Sequence, residues 1–123
     1  MTRKRSREDA QRHGQRAERL AILLLRLKFY RILARRWRSP LGEIDIVARR
    51  GSLVAIVEVK ARGTSDGAAE ALGPQQRARI GRAAALFLGR HPELAGCALR
   101  YDVMLVLPWR LPLHLRGAWI EPG

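Results

Sequence analysis

Acidic residues are scarce in this chain, and cysteine is nearly absent. A single cysteine, Cys97, rules out a disulfide framework and a cysteine-based zinc site, and it points to a reducing compartment. Three histidines, His13, His91 and His114, are scattered without metal-ligand spacing and read as surface or structural residues. Long apolar runs are missing too. The longest, Leu20 to Leu25, stops at Arg26, far short of a membrane span, and no small-residue cleavage site follows it. These absences place the expected protein in the cytoplasm. Neither a phosphate-binding P-loop nor a dinucleotide fingerprint is present, so no nucleotide cofactor is expected.

What the chain has in excess is positive charge. Lys and Arg number 24 against 11 Asp and Glu, for a formal net charge of +13 over 123 residues. Most of it comes early: residues 1–38 carry thirteen basic and three acidic side chains, net +10. The excess implies a polyanionic partner, nucleic acid first and an anionic membrane surface second. The bland alternative is an Arg-rich composition, since nearly all the basic residues are Arg. The apolar fraction of 47% suits a single globular domain with one core. Residues 1–11 lack apolar periodicity and read as a disordered basic arm, leaving residues 12–123 as the domain.

The chain is organised around Gly42 to Arg62, GEIDIVARRGSLVAIVEVKAR. Two Val- and Ile-rich runs flank Arg49-Arg50-Gly51-Ser52, the pattern of a β-hairpin. Pairing Ala48 with Leu53 across a four-residue loop places Ile44, Ile46, Ala48, Leu53, Ala55, Val57 and Val59 on one apolar face. Asp45 then lies diagonal to Glu58 on the other, with Glu43, Lys60 and Arg62. Carboxylates grouped in this way repel unless a cation compensates, and oxygen ligands suit Mg²⁺ or Mn²⁺. The competing reading is a solvated strand face with a Glu–Lys ion pair. Spacing alone leaves both open.

GEIDIVAR followed by VEVKAR resembles the YraN-like family of uncharacterised bacterial proteins. That family is similar to the PD-(D/E)XK nucleases, the restriction-endonuclease-like fold that includes archaeal Holliday-junction resolvases. Asp45 matches the acidic position, and Glu58-Val59-Lys60 matches E-x-K. The resemblance extends to Gly14 with Ala17-Glu18-Arg19-Leu20-Ala21, where Ala17 stands in place of a second glycine. It also takes in Arg100-Tyr101-Asp102-Val103, with Tyr for Phe, and the segment His114 to Trp119. It implies that Asp45, Glu58 and the Val59 carbonyl hold the metal, with Lys60 beside them. Glu18, a helical glutamate, is a further candidate, although an acidic residue near a helix start also simply suits the helix dipole.

Around this hairpin the pattern predicts a helix over about His13–Lys28, with Ala17, Leu20, Ala21, Leu24 and Leu27 buried. A strand over Phe29–Arg38 comes next, with Tyr30, Ile32 and Ala34 facing one way and Arg31, Leu33 and Arg35 the other. The loop Gly63–Gly67 reads as flexible. A second helix is expected from about Pro74 to Gly89, burying Ile80, Ala83, Ala84, Phe87 and Leu88. A core strand over Ala98–Val106 should hold Asp102 half-buried against an Arg. The tail should fold back as a flap, with Trp109 and Trp119 packed. Arg31, Arg35, Arg62, Gln76 and Arg77 are the candidate nucleic-acid contacts, Gln76 and Arg77 because a helix start can hold a phosphate. The fold expected is α/β, a restriction-endonuclease-like α-β-β-β-α-β core with a mixed sheet flanked by helices. The function expected is metal-dependent phosphodiester hydrolysis on DNA, including branched or damaged structures. The alternatives are a non-catalytic nucleic-acid-binding module that keeps the fold and a basic protein-interaction domain.

Overall fold

The computed structural model describes residues 3–63 and 72–119, with side chains from Gly14 onward. Helix α1 (Arg3–Leu27) precedes strands β1 (Arg31–Ser39), β2 (Gly42–Arg50) and β3 (Leu53–Ala61). Helix α2 (Pro74–Gly89) and a short 3-10 turn at Pro92–Leu94 lead to β4 (Ala98–Val106) and β5 (Leu113–Trp119). The five strands lie in the order β1-β2-β3-β4-β5. Every neighbouring pair is antiparallel except β3–β4, whose α2 crossover makes them parallel. This is the expected α/β architecture with a fifth strand added. The tail therefore contributes β5 rather than a flap. Trp119 is buried and stacks on Tyr101, whereas Trp109 is fully exposed.

Helix α1 begins at Arg3, earlier than the start near His13 that periodicity suggests. Arg, Lys, Gln, Glu and Ala are all good helix formers. The stretch read as a disordered arm is thus helical from Arg3, its side chains lying outside the described residues. The proposed flexible loop also falls at 64–67, outside the described residues.

The sheet is buried on both faces, so its central strands have no solvated side at mid-length. Ala21, Ile22 and Leu25 of α1 pack with Ile46, Ala48, Ala55, Val57 and Met104. Ile80, Ala83, Ala84 and Phe87 of α2 pack with Val47, Val54, Ile56, Tyr101 and Val103 on the opposite face. The α1 stripe is therefore Ala17, Ala21, Ile22 and Leu25; Leu20 and Leu27, expected inside, are exposed. Small residues at positions 17 and 21 let the helix lie close to the sheet.

The hairpin register also differs from the expected one. Arg50 pairs with Leu53 and Ala48 with Ala55, so the turn is the two residues Gly51-Ser52. Gly51 has φ +60°, the left-handed conformation that tight hairpin turns favour. The two-residue slip keeps each side chain on its face, but it carries Asp45 from a diagonal position to one opposite Glu58.

Alternation fails in β1 and at one end of β2. A bulge between Ile32 and Ala34 puts Leu33 and Ala34 together against the α2 cluster. Further along, Arg35 pairs with Ile46 on the α1 side, yet Trp37 pairs with Ile44 on the α2 side. Between them Arg36 has φ +47°. A left-handed residue in a strand reverses the facing of the residues after it, and here both strands change face at the rung that carries Asp45.

Candidate metal and phosphate site

At that rung β2 and β3 part. Their ladder ends at Ile46–Val57, and the next two residues bond through side chains instead. The Asp45 backbone N–H donates to Glu58 Oε2 at 3.1 Å. The Val59 backbone N–H donates to Asp45 Oδ2 at 2.8 Å. Each carboxylate thus satisfies a main-chain donor of the opposite strand that the opened ladder would otherwise leave unpaired. One oxygen of each carboxylate is used in this way.

The pair is short of positive charge. Glu58 is only 4% exposed. Burial pushes its carboxyl up to about 8, and the neighbouring Asp45 charge adds to the rise; the Asp45 N–H and Lys60 oppose it. Asp45 is raised as well, by burial first and by Glu43 and Glu18, against the Val59 N–H and Lys60. Two carboxylates this close do not both ionise readily in a protein interior. A cation placed between them would relieve that cost. Their oxygens, with the Val59 carbonyl nearby in the chain, form a hard-donor set that suits Mg²⁺ or Mn²⁺. Among the described residues no group of three or more His, Cys, Asp or Glu side chains could hold a metal ion. Any ion would therefore take further ligands from the main chain, water or substrate.

An open cavity of about 310 Å³ adjoins Asp45, with Glu18, Arg36, Arg38, Glu43 and Val59 also in its lining. Glu18, predicted as a metal-facing side chain, is buried and held by two arginines. Arg36 Nε donates to its Oε2 at 2.7 Å, and Arg35 Nε to its Oε1 at 3.3 Å. Consecutive strand residues normally point to opposite faces. The φ of Arg36 is what allows both to reach one carboxylate. Glu18 here anchors guanidinium groups at the cavity, and the sequence carried no sign of Arg36 because a left-handed arginine leaves no pattern.

The remaining predicted contacts are dispersed. Arg31 and Arg62 are exposed near opposite ends of the hairpin sheet, and Arg62 Nη1 bonds to the Ala61 carbonyl. Gln76 is exposed in the first turn of α2, and Arg77 lies 5.9 Å from the Trp119 ring centroid; both are across the sheet from α1. The structure does not gather these five residues into one patch.

A second polar group lies toward the other end of α1. Asp102 is fully buried, not half-buried, and takes two hydrogen bonds from Arg100, at 2.8 and 2.7 Å. His114 Nε2 lies 2.8 Å from Asp102 Oδ2, and the Gly117 N–H donates at 3.0 Å. Burial alone would raise the Asp102 carboxyl, but the bonds from His114, Arg100 and Gly117 outweigh it and bring it to about 2. Lys28 Nζ is 2.9 Å from His114 Nδ1, and Arg100 Nη2 donates to the Tyr30 hydroxyl at 2.7 Å. An arginine partner for Asp102 was expected from the sequence; that it is Arg100, and that His114 and Lys28 join it, the structure decides.

Fold and site together define a class: a mixed-sheet α/β protein whose paired carboxylates sit where two central strands diverge, with a lysine two residues beyond. Residues 17–106 match the uncharacterised protein family UPF0102, and the chain belongs to that family, the YraN-like family of the sequence resemblance. It is 60% identical over 110 residues to a UPF0102 protein of Parvibaculum lavamentivorans, covering 89% of this chain and 83% of that protein. To a UPF0102 protein of Paramagnetospirillum magneticum it is 58% identical over 119 residues, covering 94% and 92%.

Proposed function

We propose that this protein hydrolyses phosphodiester bonds in DNA with a bound divalent cation. The observation that supports this reading best is the reciprocal bonding of Asp45 and Glu58 across the parted strands. It holds the two carboxylates together, and Asp45 of the pair lines an open cavity with Glu18, Arg36, Arg38 and Glu43. A divalent ion bound there would supply an activated water and charge for the phosphoryl oxygens. The chain's own part is to hold that chemistry in place. Glu58, whose carboxyl is raised to about 8, would give up its proton on binding. Arg36 and Arg38 line the cavity and attract the phosphate backbone. Lys60, whose charge acts on both carboxylates, would steady negative charge as it develops.

The test is a cleavage screen of duplex, flap and four-way DNA with Mg²⁺ and Mn²⁺, run beside Glu58→Gln and Lys60→Ala. Metal-dependent cleavage by the wild type that both substitutions abolish or slow supports the reading. Cleavage that persists unchanged in Glu58→Gln would exclude this site. A second reading, a nucleic-acid-binding module without catalysis, is favoured by one observation: Glu18 is committed to Arg35 and Arg36. DNA binding with no metal-dependent cleavage would select it.

A further inference from the structure

Helix α1 ends in a Schellman motif. The Tyr30 N–H bonds back to the Leu25 carbonyl and the Phe29 N–H to the Arg26 carbonyl. Tyr30 and Leu25 are both buried in the α1 cluster, the apolar contact that accompanies this motif. The left-handed position is usually glycine, because a side chain there costs on the order of 1–2 kcal/mol. This chain places Phe29 in it, at φ +70°, and leaves the ring 87% exposed. The fold gains neither conformational ease nor burial from that phenylalanine.

The ring adjoins a group of cations. Arg50 Nη1 donates to the Lys28 carbonyl at 3.3 Å, and its guanidinium lies 4.4 Å from the Tyr30 ring centroid. Lys28 is held at His114. Burial lowers its ammonium, and the Arg116 and Arg50 charges lower it further, so the three cations feel one another. The nearby carboxylate, Asp102, already accepts from Arg100, His114 and Gly117. Among the described residues Lys28, Arg50 and Arg116 have no carboxylate partner. The helix C-terminus attracts one or two such charges, and an anion would relieve the rest.

We propose that Phe29, Lys28, Arg50 and Arg116 bind an unpaired nucleotide of a nucleic-acid strand, the ring stacking on the base and the cations holding its phosphates. An exposed aromatic beside basic side chains is an arrangement that single-strand sites use. Guanidinium groups suit phosphate oxygens by their planar fork. A nucleic acid fits better than a lipid surface because this corner lies on the α1 side of the sheet, as the cavity lined by Glu18 and Asp45 does. Ten residues separate Lys28 from Glu18, about 15 Å along the helix, a span of roughly four nucleotides at the rise of stacked duplex DNA. The inference rests on the nucleic-acid part of the proposed function and not on cleavage.

The test compares the full chain's affinity for a duplex with a single-stranded tail and for a blunt duplex. Phe29→Gly keeps or raises the melting temperature, since glycine accepts the left-handed position, yet weakens tailed DNA about tenfold or more. Blunt-duplex affinity stays within about twofold, because the base contact is absent there. Arg50→Gln with Arg116→Gln lowers the salt slope for tailed DNA by about one to two, while Arg82→Gln on exposed α2 does not share the tail preference. Wild-type binding that Phe29→Gly leaves intact overturns the corner site alone, and so does a double variant that behaves like Arg82→Gln. A wild type that binds no nucleic acid overturns both the corner and the DNA reading. Phe29-dependent binding to vesicles containing phosphatidylserine, with DNA affinity unchanged, assigns the surface to lipid and also overturns the inference.

Discussion

Glu58 and Asp102 are both buried acids, and their surroundings push them in opposite directions. Glu58, raised to about 8, binds its proton more tightly folded than unfolded. Its cost to the fold is absent below its unfolded value of about 4.5 and grows as pH rises toward about 8. Glu58→Gln should therefore be more stable than the wild type at pH 8–9, by on the order of a few kcal/mol, and nearly equal at pH 4. Chemical denaturation across that range reads the difference. Mg²⁺ or Mn²⁺ should raise the wild-type melting temperature more at pH 8 than at pH 6, because binding must displace the Glu58 proton. The Glu58→Gln variant should show no such response. Lys60→Ala should retain the metal-induced shift yet cleave on the order of a hundredfold more slowly in single-turnover assays. Asp102, lowered to about 2, contributes stability that is present above its unfolded value near 3.8 and is lost as pH falls toward 2. Asp102→Asn strips Arg100 and His114 of their anion. It should cost near the lower end of the ~3–5 kcal/mol typical of a broken buried pair, because Arg100 is partly exposed.

At the scale of elements, the site depends on the turn that brings β2 under α2. Gly42 has φ +154°, and a Cβ there would meet the Arg79 carbonyl oxygen at 3.1 Å. Ser39 Oγ closes the turn, donating to the Gly42 carbonyl and accepting from the Leu41 and Gly42 N–H groups. Gly42→Ala should thus destabilise by about 1–3 kcal/mol, read as a lower denaturation midpoint, through strain and a displaced helix. The bulge in β1 and the left-handed Arg36 act at the same scale. Hydrophobic alternation predicted Tyr30, Ile32 and Ala34 on one face, but periodicity assumes a regular strand. The irregularities are stabilised from outside β1, by Glu18 of α1 and by the α2 cluster that receives Trp37. No local pattern records such a contact, which is why Arg36 was invisible and the Glu18 partnership unforeseen.

For the whole molecule, the net charge of +13 should make DNA affinity fall steeply with salt. Removing residues 1–11 should weaken binding to all sequences alike and flatten the salt slope, as measured by titration at several salt concentrations. An unchanged slope would leave that stretch with no share in binding. The order of the elements from α1 to β4 and the extents of α2 and β4 could be read from residues alone, because each rests on local propensity and a period of two or 3.6. The chain likewise determined that Glu58 and Lys60 share a strand face. Tertiary structure decided the rest. A two-residue turn set Asp45 opposite Glu58, and burial under two helices raised both carboxylates. Packing of α1 turned Ala17, Ala21 and Leu25 inward and left Leu20 and Leu27 outside. Long-range contacts joined Lys28 and His114, 86 positions apart, into one network. Charge and periodicity are properties of neighbours in sequence, whereas desolvation and hydrogen-bond partnership depend on which distant segments close over them.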